Sequence, residues 1–214
     1  MPGTRAHIDH VTVGNPDRAQ RDGHPMPGGM LRHEEGSDAI DREQLQRWFP
    51  HDEILLASTE SLRELVSHQG TLAMLIHTGV PETFLEVVEF DRHLASGIRT
   101  LDEIYDEDGS TAPPGTGDLL FLGYAGQAFF ALEGATGEIR QVHTSFRARP
   151  FAPSLRMFVR ALGAVSEALR EKAERKPTVD ALLAVVSSEL GGEADVAEPA
   201  WRTLLSDVAA YVAD

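Results

Sequence analysis

Three short apolar segments, residues 118–124 (DLLFLGY), 127–132 (QAFFAL) and 138–143 (EIRQVH), follow one another almost without interruption. Only Ala125-Gly126 and a turn containing Gly134-Ala135-Thr136-Gly137 separate them. A parallel crossover needs a dozen residues or more, so connections this short can join only antiparallel neighbours. The segments therefore form a β-meander, and every other element has to be arranged around it.

Helical signals lie on both sides. Ser37 or Asp38 is placed to cap a helix through Leu45, Trp48 and Phe49, which Pro50 ends. The apolar run Ile54-Leu55-Leu56 reads as a short strand. Thr59 then caps a helix carrying Leu62, Leu65 and Val66, and a second helix spans residues 71–78. Gly79 followed by Pro81 stops that helix, since one residue supplies a left-handed cap and the other cannot continue a helix. Residues 84–90 (FLEVVEF) read as one strand rich in aromatic and β-branched side chains. Beyond Pro153 the period becomes 3.6, with Leu155, Phe158, Val159, Leu162, Val165 and Leu169 on one stripe. A helix through Leu182, Leu183 and Val186 follows, and a last one places Trp201, Leu204, Leu205, Val208 and Val212 on one face. Helices, then a meander, then helices predict an α+β fold: a mainly antiparallel sheet with helices packed against it.

The 214 residues suffice for one well-buried domain, assigned to residues 38–214. Residues 1–37 contain Pro2, Pro16, Pro25, Pro27 and the Gly28-Gly29 pair but few large apolar groups, and they read as a flexible tail, with a short strand at 8–13 as an option. His7, His10, His24 and His33 lie in this tail, where no fixed geometry holds them, so no metal site is assigned there. Without a cysteine in the chain, disulfides, thiolate metal sites and Cys nucleophiles are excluded. No apolar leader segment opens the sequence and no run approaches a membrane span, so the expected location is the cytoplasm.

Charge narrows the class of partner. Nineteen basic against thirty-four acidic residues leave a net charge of −15, with a pI near 4.9. Such a field repels phosphate backbones and anionic lipid surfaces, attracts basic protein, and also keeps a chain soluble. Direct nucleic-acid or membrane binding is not expected.

Catalytic motifs are lacking: there is no P-loop, GxGxxG, HExxH or GxSxG, and Asp106-Glu107-Asp108-Gly109 lacks the ligand offsets of a calcium loop. Gly115-Thr116-Gly117-Asp118 has the composition of an anion cradle but precedes a strand; it reads as a tight turn. His77, or His143 beside Thr144 and Ser145, with Asp118 or Glu138, supplies the residue types of a Ser/His/acid set. A hydrogen-bonded structural histidine is the favoured reading in each case. No cofactor is expected and the chain is not read as an enzyme.

The acidic stretch from Glu86 to Asp108 is more informative, because its charges interleave with Leu101, Ile104 and Tyr105. Carboxylates around an aromatic anchor suit recognition of a basic protein. Asp102, Glu103, Tyr105, Asp106, Glu107 and Asp108 are accordingly the expected partner-binding residues.

Several segments, in order, resemble the SUKH superfamily (SMI1/KNR4-like) and within it the SUKH-4 group of bacterial immunity proteins. Residues 71–84 (TLAMLIHTGVPETF) are similar to that group's helix ending in Gly-Leu-Pro, with Val80 in place of Leu. Residues 117–142 resemble its meander, and residues 152–162 (APSLRMFVRAL) the start of its long helix, with Pro153 where Asn or Ser is common. The Trp201 helix resembles the family's tail, so the likeness spans roughly residues 40–212. It implies an α+β fold and a non-catalytic immunity protein that binds and neutralises a toxin, often a nuclease or nucleic-acid deaminase; with the acidic balance, the leading reading is that it occludes the active site of a basic toxin of that kind. A scaffold or regulatory interaction module is the alternative the wider superfamily implies.

Overall fold

In the computed structural model, residues 39–143, 146–171, 177–191 and 194–213 are described. The tail reading of residues 1–37, with its histidines and strand 8–13, lies outside them.

Helix α1 spans Arg42–Trp48 and is capped by Asp41, whose carboxylate accepts from the Gln44 N–H at 2.7 Å. Asp41 thus takes the place expected of Ser37 or Asp38. Strand β1 (Ile54–Leu55) leads to α2 (Thr59–Leu65), which Ser58 precedes without a side-chain bond, so Thr59 is its first residue and not its cap. Helix α3 (Gln69–Ala73) begins two residues earlier than expected because the His68 ring accepts from the Thr71 N–H. It widens into a π turn over Met74–Thr78, closed by a bond from the Gly79 N–H to the Met74 carbonyl. Gly79 has φ 86, and a side chain there would strike the Leu55 carbonyl. That close approach lets β2 (Val80–Pro81) pair with β1.

The single strand expected over residues 84–90 is two. Strands β3 (Thr83–Phe84) and β4 (Val88–Phe90) form a hairpin whose turn holds Leu85 and Glu86 at φ 52 and 55. Two non-glycine residues in the left-handed region cost about 1–2 kcal/mol each. Folding back buries Phe84, Val88 and Phe90 together, which offsets that cost.

Helix α4 (Leu101–Glu107) occupies the acidic stretch. The meander follows as β5 (Leu120–Ala125), β6 (Ala128–Leu132) and β7 (Ile139–His143), and it continues into β8 (Phe146–Ala152), a strand that the sequence reading passed over. Pro150 lies in β8 and argues against a central strand, but β8 is an edge, where a missing N–H is tolerated. The sheet order is β3-β4-β5-β6-β7-β8, antiparallel throughout. Helices α5 (Leu155–Glu171), α6 (Val179–Leu190) and α7 (Ala194–Ala213) complete the α+β fold.

Alternation along the strands supplies both faces of the sheet. Leu120, Leu122, Phe130, Leu132, Ile139 and Phe151 join the larger core beneath the helices. Phe121, Ala131 and Val142 enter a smaller cluster with Leu101, Ile104 and Tyr105 of α4. On the larger side, Phe151 stacks on Trp201 with centroids 4.4 Å apart, and the Trp201 indole donates to the Phe151 carbonyl at 2.9 Å. Val212, expected on the buried face of α7, is 39% exposed, as the helix runs past the core. Leu65 likewise faces outward from α2.

Helix α1 is fastened to α5 at Trp48. Its indole donates to Glu167 at 2.9 Å, its carbonyl accepts from the Ser166 hydroxyl at 2.7 Å, and its ring covers Gly163 so closely that a methyl group there would overlap it. Gly163→Ala should therefore displace the Trp48 ring and destabilise the fold by about 2 kcal/mol in urea unfolding, more than an exposed helical Gly→Ala change, which normally stabilises.

Candidate protein-interaction face

Helix α4 is built by its sequence to lie on a sheet with its charge outward. Leu101, Ile104 and Tyr105 are buried, while Asp102, Glu103, Asp106, Glu107 and Asp108 are exposed. A capping box starts it: the Thr100 hydroxyl accepts from the Glu103 N–H at 3.3 Å, and the Glu103 carboxylate accepts from the Thr100 N–H at 2.7 Å. The five carboxylates are thus brought together on one side. Tyr105 is not among them: its ring packs edge-on against Phe129 with centroids 5.6 Å apart, and burial pushes its phenol upward. It ties α4 to the sheet instead of standing out as an anchor.

The exposed aromatic of this face is Tyr124, 39% exposed on β5. A bulge between Phe121 and Gly123 brings Tyr124 opposite Phe129, on the α4 side of the sheet. Its hydroxyl donates to Glu89 of β4 at 2.5 Å. That bond, then desolvation and the Glu89 charge, push the phenol above its usual value. Tyr124 borders a groove with Glu82, Thr83, Glu89, Arg92 and His93. The sequence marked Tyr124 only as the end of a strand; the Gly123 that permits the bulge was the available signal.

Arg99 joins the two halves of the face. Its guanidinium bonds Asp91 at 2.9 Å and Glu107 at 2.9 Å, with Phe121 beneath it. Burial alone pushes the Asp91 carboxyl up. Hydrogen bonds from the His93 N–H, the His93 ring and Arg99, with the Arg99 charge, outweigh that and hold it below the ordinary carboxylate range. Glu107 is therefore a structural charge as well as a surface one.

The other candidates are placed apart. Asp102 sets its carboxylate against Gly117, so the Gly115–Asp118 turn already faces an anion of this chain. His77 and Asp118 are exposed on separate elements, Glu138 bonds Arg140 at 3.4 Å, and Thr144 and Ser145 lie outside the described residues. Among the described residues no group of three His, Cys, Asp or Glu side chains could hold a metal, and no helix is long and apolar enough to cross a membrane.

The Asp91–Arg99 pair yields a pH signature. The folded carboxyl titrates below its unfolded value of about 3.9, so its stabilisation is complete above that value and disappears as pH falls through the lower folded one. Arg99→Leu should raise the Asp91 pKa, measured by carboxyl NMR titration, and flatten the acid limb of stability against pH.

The model of the SUKH-4 immunity protein family matches residues 40–199, ending just before Trp201, whereas the resemblance extended through that helix. No curated protein and no solved structure matches. The match covers most of the chain, including the meander, α4 and the long helix α5. This chain belongs to the SUKH-4 immunity protein family.

Proposed function

We propose that this immunity protein works in the cytoplasm, without catalysis, by laying the α4 face over the basic active-site cleft of its cognate toxin. A nuclease or nucleic-acid deaminase is the toxin class this face suits, because a cleft that binds phosphate backbones carries Lys and Arg. The observation that carries the reading is the set of outward carboxylates on one short, tightly anchored helix. An anchored helix presents charge at little cost in ordering entropy on binding. Tyr124, beside Glu89, supplies the rigid aromatic that Tyr105 does not, and an aromatic next to a carboxylate suits an incoming Arg or Lys.

Since Glu107 also holds Arg99, the informative substitution leaves it intact. Asp102→Asn, Asp106→Asn and Asp108→Asn combined should lower the association rate with the cognate toxin domain about tenfold at low ionic strength. The deficit should shrink as salt is added, in stopped-flow or surface-resonance kinetics. Unchanged rates at every salt concentration would remove α4 from the interface. Tyr124→Ala should instead act on dissociation, raising koff by about tenfold or more with little change in kon. Capture of cellular regulatory proteins with no toxin among them would favour a scaffold.

A further inference from the structure

A groove of about 530 Å³ between α3, α5 and α6 lies outside the acidic face, and its chemistry is of the opposite kind. Its lining includes His68, Ser154, Arg156, Arg160 and Ser188, together with the Glu189 carboxylate. In a chain of net charge −15, two arginines, a histidine and two hydroxyls converging on one groove need an explanation.

His68, Ser154 and Arg160 are held in place by hydrogen bonds. The His68 Nδ1 lies 2.8 Å from the Thr71 hydroxyl and accepts from the Thr71 N–H at 3.2 Å, which leaves the Nε2–H as the ring's donor. Gly137 presses on the same ring so closely that a Cβ there would overlap it, fixing its orientation. Gly70 forms the floor between the two key groups: the position of its absent Cβ is 3.3 Å from His68 Cε1 and 3.8 Å from an Arg156 Nη. Imidazole and guanidinium therefore stand beside each other. The Ser154 hydroxyl oxygen accepts from the Met157 N–H at 3.2 Å, leaving its O–H to donate. Arg160 is partly committed, bonding Glu189 at 3.0 Å, and thereby offsets the one carboxylate that lines the groove among the described residues. Arg156 has no carboxylate partner among the described residues and is half-buried.

A half-buried arginine without a counter-ion among the described residues, sharing a groove with a ring N–H and two hydroxyls, lacks an acceptor that its surroundings are arranged to receive. We infer that this groove binds a phosphate monoester or inorganic phosphate. Donors arriving from α3, α5 and α6 match the several oxygens of a tetrahedral dianion better than the two of a planar carboxylate.

The test uses the full chain in isothermal titration and 31P NMR, with inorganic phosphate, a nucleoside 5′-monophosphate and acetate as probes in chloride buffer. Saturable phosphate binding that weakens about tenfold or more in Arg156→Glu, and less in Arg156→Lys, is the expected result. Circular dichroism verifies that each variant is folded. Tighter binding of the nucleotide than of inorganic phosphate would identify the organic ester as the source; equal binding would identify free phosphate. The combined Asp102, Asp106 and Asp108 variant should bind phosphate like the parent protein. Absence of saturable binding, equal binding in Arg156→Glu, or acetate binding as tightly as phosphate would each overturn the inference.

Discussion

Phe130, Phe151, Phe158 and Trp201 meet at one point where β6, β8, α5 and α7 converge, with ring centroids 4.4 to 6.0 Å apart. All four are essentially removed from water. At roughly 25 cal/mol per Å² of buried apolar area, such rings are the largest single contributors a core of this size has. The Trp201 indole bond to the Phe151 carbonyl satisfies a polar pair within this cluster and fixes α7 along the edge strand. Helices α5 and α7 are thereby held on one face of the sheet, and the opposite face is left for α4.

That division explains how one chain carries two electrostatic characters. On the α4 side, a short helix contributes only Leu101, Ile104 and Tyr105 to a small cluster, so it needs further ties. The capping box, Arg99 and the packing of Tyr105 on Phe129 supply them. All five carboxylates are then exposed on one side, although Asp102 also rests against Gly117, Glu103 completes the capping box and Glu107 holds Arg99. On the helical side, Arg156 and Arg160 of α5 lie beside α6, remote in sequence from the acidic stretch. A net charge summed over the chain hides this separation.

Much of the architecture was legible in the sequence. The Gly-containing turns predicted the meander, and the apolar stripe from Leu155 predicted α5, because period and turn chemistry are local properties. What escaped depended on tertiary partners. β8 was hidden by Pro150, whose tolerance at an edge cannot be judged before the sheet order is known. Residues 84–90 read as one strand because nothing local announces a turn at Leu85-Glu86; burial of Phe84 against Phe49 and of Val88 enforces it. For the interaction face, the five carboxylates were evident from composition. The roles of Tyr105 and Tyr124 were not, since a bulge at Leu122 and Gly123 decides which side of the sheet Tyr124 occupies.

Family membership establishes an immunity protein, and the anchored acidic helix provides a physical means for it to engage a basic cleft. The most direct measurement is hydrogen–deuterium exchange of the protein alone and saturated with its toxin domain. Protection concentrated in α4 and the β3–β4 hairpin, with α6 unchanged, is the result this account predicts. Protection confined to α6 and α7, with α4 exchanging as it does in the free protein, would contradict it.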